Sequence, residues 1–200
     1  MTQEQLIALA FFVFVATVTP GPNNLMLMAS GANFGVRRTV PHMLGISFGM
    51  FTMVGLVGVG LIRVFEIWPV TGIVLKVVGV VYLLYLAVKI ATAAPLETES
   101  EAQVDPRPFS FVQAALFQLV NPKAWTIMVT ALSVYAPARE LGSVFLVAAA
   151  FVLIGLPSIS LWAAFGERLR GFLSAPVRLR YFNIAVAALL VASLYPIITA

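Results

Sequence analysis

Residues 6–30 read LIALAFFVFVATVTPGPNNLMLMAS, a 25-residue run without a charged side chain and with Pro20-Gly21-Pro22-Asn23-Asn24 inside it. A bilayer core about 30 Å thick needs roughly 20 apolar residues in helical form. The run is long enough to span, yet it carries two prolines and a glycine where a helix loses donors and continuity. Inside a membrane such a break persists only where protein or a cavity satisfies the freed backbone groups. A spanning helix broken in its interior is therefore the expected first element.

The rest of the chain extends the pattern. Of 200 residues, 61% are hydrophobic and 10% are charged, and the mean hydropathy is +1.01. A soluble domain carries about 25% charged residues, so too little polar surface remains to coat a globule in water. Six apolar segments follow one another at about Leu6–Ser30, Val40–Ile62, Trp68–Ala91, Phe111–Tyr135, Leu141–Phe165 and Tyr181–Thr199. The expected fold is an all-α membrane protein of six transmembrane helices, forming a single transporter domain over residues 1–200. The first five residues hold no Lys or Arg, and the following run exceeds a signal-peptide core, so a retained first helix is expected. The chain has no cysteine, which excludes disulfides, thiolate metal sites and dithiol redox chemistry.

If every segment spans, the joins alternate between the two sides. The first, third and fifth joins hold Arg37, Arg38, Lys89, Arg107, Arg168, Arg170, Arg178 and Arg180, and the second and fourth hold only Arg63 and Arg139. Cytoplasmic loops are enriched in Lys and Arg, which puts the richer side inside and both termini outside. The same bias accounts for the net charge of +4 without a nucleic-acid partner. Glu97, Glu99, Glu101 and Asp105 mark a solvated linker over about residues 93–107, between half-repeats of about 1–92 and 108–200. Three helices carry the chain across, so two similar halves form an inverted repeat. Each half opens with an interrupted helix: Pro20–Asn24 breaks helix 1, and Asn121-Pro122-Lys123 breaks helix 4.

Pro20 lies roughly 21 Å from one end of helix 1 and Asn121 roughly 15 Å from the start of helix 4, so both breaks fall at similar depth. Exposed amides at the start of a half-helix attract a carboxylate, and freed carbonyls at the end of the other attract an ammonium. Together they suit a zwitterion. Asn23 and Asn24 add amide groups, and Lys123 adds a positive charge that costs about 2.5–3.5 kcal/mol at mid-helix unless it is partnered. No Asp or Glu lies in the six segments, so carbonyls, water or a bound carboxylate must serve. Capping of the broken helix by Lys123 stands beside the substrate role.

The candidate substrate-binding set is Pro20, Gly21, Pro22, Asn23, Asn24, Asn121, Pro122 and Lys123. Lys76, about 12 Å into helix 3, is a candidate for the pathway or for coupling, with snorkelling as the alternative. His42, the only histidine, is read first as an interfacial residue and second as a coupling group. Gly31, Gly35, Gly45 and Gly49 have the spacing of close helix packing, within one chain or in a homo-oligomer. Trp68, Trp125, Trp162 and the tyrosines read mostly as an aromatic belt.

Thr19-Pro-Gly-Pro-Asn23, followed by Gly31, Gly35, Gly45 and Gly49, resembles the start of the lysine exporter (LysE/RhtB) family. The stretch from Leu75 through Lys76, Gly79, Tyr82 and Tyr85 is similar to that family's third helix, and Asn121-Pro122-Lys123-Ala124 to its fourth-helix signature. The resemblance covers nearly the whole chain and implies an exporter of amino acids or close derivatives in the bacterial cytoplasmic (inner) membrane, driven by the proton motive force. Gln118-Leu-Val and Trp125-Thr-Ile depart from the family's leucine- and phenylalanine-rich flanks.

The partners expected are therefore an amino-acid substrate, lipid and protons, with no cofactor. The missing intramembrane acid argues against a cationic side chain and for a neutral amino acid. A metal-cation exporter needs carboxylate, imidazole or thiolate ligands, and the spans offer none apart from His42 at an edge. An enzyme lacks a nucleophile or acid–base constellation, and a non-transporting assembly subunit is the remaining alternative.

Overall fold

The computed structural model describes residues 1–61, 65, 67–93 and 108–195. Among them every regular element is helical: α1 Gln3–Val18, α2 Pro22–Phe34, α3 Val36–Gly58, α4 Pro69–Ala91, α5 Phe111–Val120, α6 Pro122–Tyr135, α7 Leu141–Ala150, α8 Leu156–Arg170 and α9 Pro176–Ala192. A π-helical turn, Phe151–Gly155, joins α7 to α8. The α3, α4 and continuous α7–α8 rods are each long and apolar enough to cross a membrane, and α1 with α2 makes a fourth such path bent by 59°.

Sequence explains the ends. Both interrupted helices begin with the same capping box: Thr2 with Gln5 on α1 and Ser110 with Gln113 on α5. In each, a hydroxyl accepts an N–H of the first turn and the glutamine returns a bond to the cap. After each break the helix resumes with proline at its first position, Pro22 and Pro122, where no intrahelical donor is needed. Gly35 joins α2 to α3 at φ 81°, a left-handed value that an L side chain resists. The Glu167 carboxylate accepts the Val36 N–H there at 3.0 Å, at the positive end of α3.

Helix α2 lies at the centre and is buried from Asn24 to Asn33. One apolar cluster joins it through Leu27 to α1, α3, α6, α7 and α8, and a second joins it through Leu25 and Met28 to α4, α5 and α9. The outermost surfaces are apolar, as with Ile73, Val77 and Val81 of α4, which suits a lipid neighbour. The main pairings are α2 on α8, α3 on α5, and α4 on α9. Helices α2 and α5, one from each side of the two breaks, thus pack on helices remote from them in sequence.

These pairings depend on glycine. A Cβ at Gly31 would overlap the Ala163 carbonyl, and one at Gly166 would overlap the Met28 carbonyl; Gly45 lies likewise against the Phe111 carbonyl. A Cβ at Gly49 would come 2.7 Å from the Ala115 carbonyl oxygen. Gly45 and Gly49 lie further along α3, whereas the Gly31 and Gly166 contacts lie toward the end of the bundle where α2 passes into α3. At that end the Asn183 amide nitrogen donates to the Asn33 side chain and the Ala93 carbonyl, tying α9 to α2 and α4.

Several expected boundaries move. The second segment starts at Val36, because Pro41 is accommodated in the second turn of α3. The sixth starts at Pro176, so Arg178 and Arg180 sit on α9 rather than in the fifth join. The fifth continues to Arg170 and takes Glu167 with it. Arg63, Arg107, Glu97, Glu99, Glu101, Asp105 and most of the linker lie outside the described residues.

Candidate functional site

Pro20 and Pro22 supply no N–H, so the last carbonyls of α1 lose their helical donors. Side chains replace them. The Asn24 amide nitrogen donates to the carbonyls of Thr17 and Thr19, both at 2.7 Å. From α8, Trp162 Nε1 donates to the Val18 carbonyl at 2.9 Å. Lys123 Nζ donates to the Thr19 carbonyl at 2.7 Å, to Thr19 Oγ1 at 2.9 Å and to the Pro20 carbonyl at 3.0 Å. An ammonium has three N–H donors, and all three are used.

The second break is built the same way. Asn121 caps α6 by accepting the Lys123 N–H on its side-chain oxygen at 3.2 Å. Trp125 Nε1 turns back to the Leu119 carbonyl at the end of α5, at 2.7 Å. The two broken helices are then joined by a reciprocal amide pair: Asn23 Nδ2 donates to Gln118 Oε1 at 2.8 Å, and Gln118 Nε2 returns to Asn23 Oδ1 at 3.2 Å. Gln118 is fully buried, and its amide also donates to the Ala114 carbonyl, so both of its polar ends are satisfied.

Two spaces border this knot. A void of about 40 Å³ is lined by Gly21, Asn23, Asn24, Asn121 and Lys123 together with apolar side chains such as Ile46, Met50 and Ile159, and it faces the first turn of α2, where a helix leaves N–H groups unpaired. A larger cavity of about 510 Å³ lies between α4 and the second break, with Pro22, Pro122 and Lys123 on one side and Lys76 on the other. It has the size of a small-molecule site. The residues of both breaks therefore meet in one place, and Lys76 reaches its margin.

His42 does not. It is 1% exposed, and its ring lies 5.2 Å from that of Phe109 at the glycine-packed end. Among the described residues neither ring nitrogen has a hydrogen-bond partner. His42 thus lies inside α3, which starts at Val36, with its ring buried against Phe109 rather than at the start of the helix.

The chain matches the family described as LysE type translocator over residues 14–193. It belongs to that family. Similar relatives include the cysteine/O-acetylserine efflux protein of Escherichia coli strain K12, 31% identical over 194 residues that make up 96% of each chain. The protein of the same description from Salmonella typhi is 32% identical over 170 residues, 84% of this chain and 85% of the relative. No solved structure matches. A LysE type translocator is a membrane transport protein, not an enzyme.

Within this translocator Trp125 and Trp162, read from the sequence as part of an aromatic belt, donate their indole N–H groups to carbonyls freed at the two breaks. Their spacing carries no such signal, since each partner carbonyl is released only when proline ends a helix six or 144 residues away. Gln118 and Thr19 flank the breaks in sequence, and their polarity inside apolar segments is the only advance sign of their role. Gly35 belongs to a junction rather than to a helix-packing pair.

Proposed function

We propose that this translocator exports a small neutral amino acid, or a close derivative, across the cytoplasmic membrane by alternating access around the two helix breaks. In this reading residues 1–92 and 108–200 form two inverted three-helix repeats, with six spans, both termini outside, and the proton motive force as the drive. Matching capping boxes, a proline restart after each break and the reciprocal packing of each broken helix on the opposite half support the repeat. The relatives' printed substrates, cysteine and O-acetylserine, support a small neutral cargo.

The observation that carries the proposal is the set of three bonds from Lys123 Nζ to Thr19 and Pro20. Those carbonyls are an ammonium site, occupied here by the protein's own ammonium. A zwitterion relieves it: the substrate's amino group takes the Thr19 and Pro20 carbonyls, and Lys123 swings to the substrate's carboxylate, which also faces the first-turn amides of α2. No charge is left unpaired at any point, as a low-dielectric site requires. The exchange needs both groups on one molecule, which selects free amino acids over simple amines and carboxylates.

Purified protein in proteoliposomes, given a panel of labelled amino acids, tests this. Neutral amino-acid flux that is abolished by N-acetylation of the substrate and slowed when a protonophore collapses the gradient is the expected result. Strong lysine or arginine flux without neutral flux overturns the substrate assignment.

A further inference from the structure

The 510 Å³ cavity contains a second cation whose role the helix breaks do not explain. Gly72, Leu75, Lys76, Gly79 and Val80 recur at helical spacing along one stripe of α4 and form its wall. The glycines leave this wall shallow; the approach is closest at Gly79, where a Cβ would come 2.6 Å from the Val120 carbonyl oxygen. The rest of the lining is apolar, with Leu119, Val120 and Trp125, and its polar groups are Thr126, Ser193 and Lys123. No acid among the described residues lines the cavity. Among the described residues Lys76 makes no hydrogen bond or ion pair, whereas Lys123 spends its three donors at the break.

A substrate bound through its amino and carboxylate groups at the breaks must put its side chain into open space next to Lys123. The smaller void, at about 40 Å³, has less than a tenth of the volume of the 510 Å³ cavity. The larger cavity is the space next to Lys123 that can hold a side chain, and its far wall carries the charge of Lys76, which has no ion-pair partner among the described residues. We infer that Lys76 is a specificity-determining residue: it rejects amino acids with cationic side chains by repulsion and accepts those whose side chains are neutral or end in a carbonyl or carboxylate oxygen. Specificity of this kind comes from a clash with the wrong partner rather than from added attraction to the right one. The inference rests on the reading of the breaks as the site of the backbone amino and carboxylate groups.

The test is flux in proteoliposomes for wild type, Lys76→Glu and Lys76→Gln, with L-threonine, L-leucine, O-acetyl-L-serine, L-lysine and L-aspartate as probes. Lys76→Glu is expected to raise the ratio of lysine to neutral flux by about tenfold or more and to lower the aspartate ratio, as reversal of a facing charge in a partly desolvated cavity requires. Lys76→Gln is expected to lie between, at about threefold. Lys76 is exposed and makes no hydrogen bond or ion pair among the described residues, so both variants should fold. If Lys76→Glu loses neutral flux altogether, the ratio is taken from Lys76→Gln. Unchanged ratios in a variant with neutral flux near wild type overturn the role of Lys76 and leave the reading of the breaks intact. Wild-type protein that moves none of the neutral probes overturns that reading, and the inference with it.

Discussion

The Lys123 side chain crosses directly over Gly21. A Cβ at position 21 would lie 2.6 Å from Lys123 Cδ, while Nζ continues to the Thr19 carbonyl at 2.7 Å. Gly21 has φ 178°, an extended backbone open to any residue, so glycine is required there for space and not for conformation. Two residues about a hundred positions apart are thereby coupled through one methyl group's worth of volume.

Gly21→Ala should act through Lys123. Transport is expected to fall about tenfold, as misplacement of a positioning group does, and the double variant Gly21→Ala/Lys123→Met should be little worse than Lys123→Met alone, because contacting residues are not additive. Initial flux at matched protein levels measures both. Additive losses would separate the two residues.

Lys123→Ala leaves the Pro20 carbonyl without its donor and the Thr19 carbonyl with Asn24 alone, and it removes the group assigned to the carboxylate. A destabilisation of about 1–3 kcal/mol and near-complete loss of flux are expected, read by thermal unfolding in detergent and by proteoliposome transport. Unchanged transport at normal expression would refute the assigned role.

Gln118→Leu should weaken the joint between the broken helices. An interhelical side-chain bond in a membrane contributes about 0.6 kcal/mol on average and up to about 1.7, so a modest fall in thermal stability is expected. Gln118→Glu keeps the acceptor for Asn23 but adds an unpaired charge at a fully buried position, and a larger fall should follow.

At the glycine-packed end, Gly166→Ala must push α8 from α2, since the added methyl meets the Met28 carbonyl. Overpacking of this kind costs about 1–3 kcal/mol, visible as a lower yield of monodisperse protein on size exclusion. Gly142→Ala, where nothing lies within 4 Å of the added methyl, is the matched control and should be neutral.

The 25-residue uncharged run at residues 6–30, and its successors, determined by themselves that this is an all-helical membrane protein. Apolar length against bilayer thickness is a one-dimensional property, readable without knowing what touches what. The positions of both breaks were equally legible, because proline lacks an N–H wherever the chain goes. What received the freed carbonyls was not. Lys123, Trp162 and Asn24 meet α1 only because α2, α6 and α8 converge on it, and no spacing in the chain encodes a bond between Trp162 and Val18. The burial of His42 and the π-helical turn at Phe151–Gly155 depended in the same way on neighbours. The tertiary structure thus decided that the lysine in the broken fourth helix is the partner of the broken first one, since a buried polar group is satisfied by whatever packing brings within about 3 Å, and packing is a property of the assembled bundle.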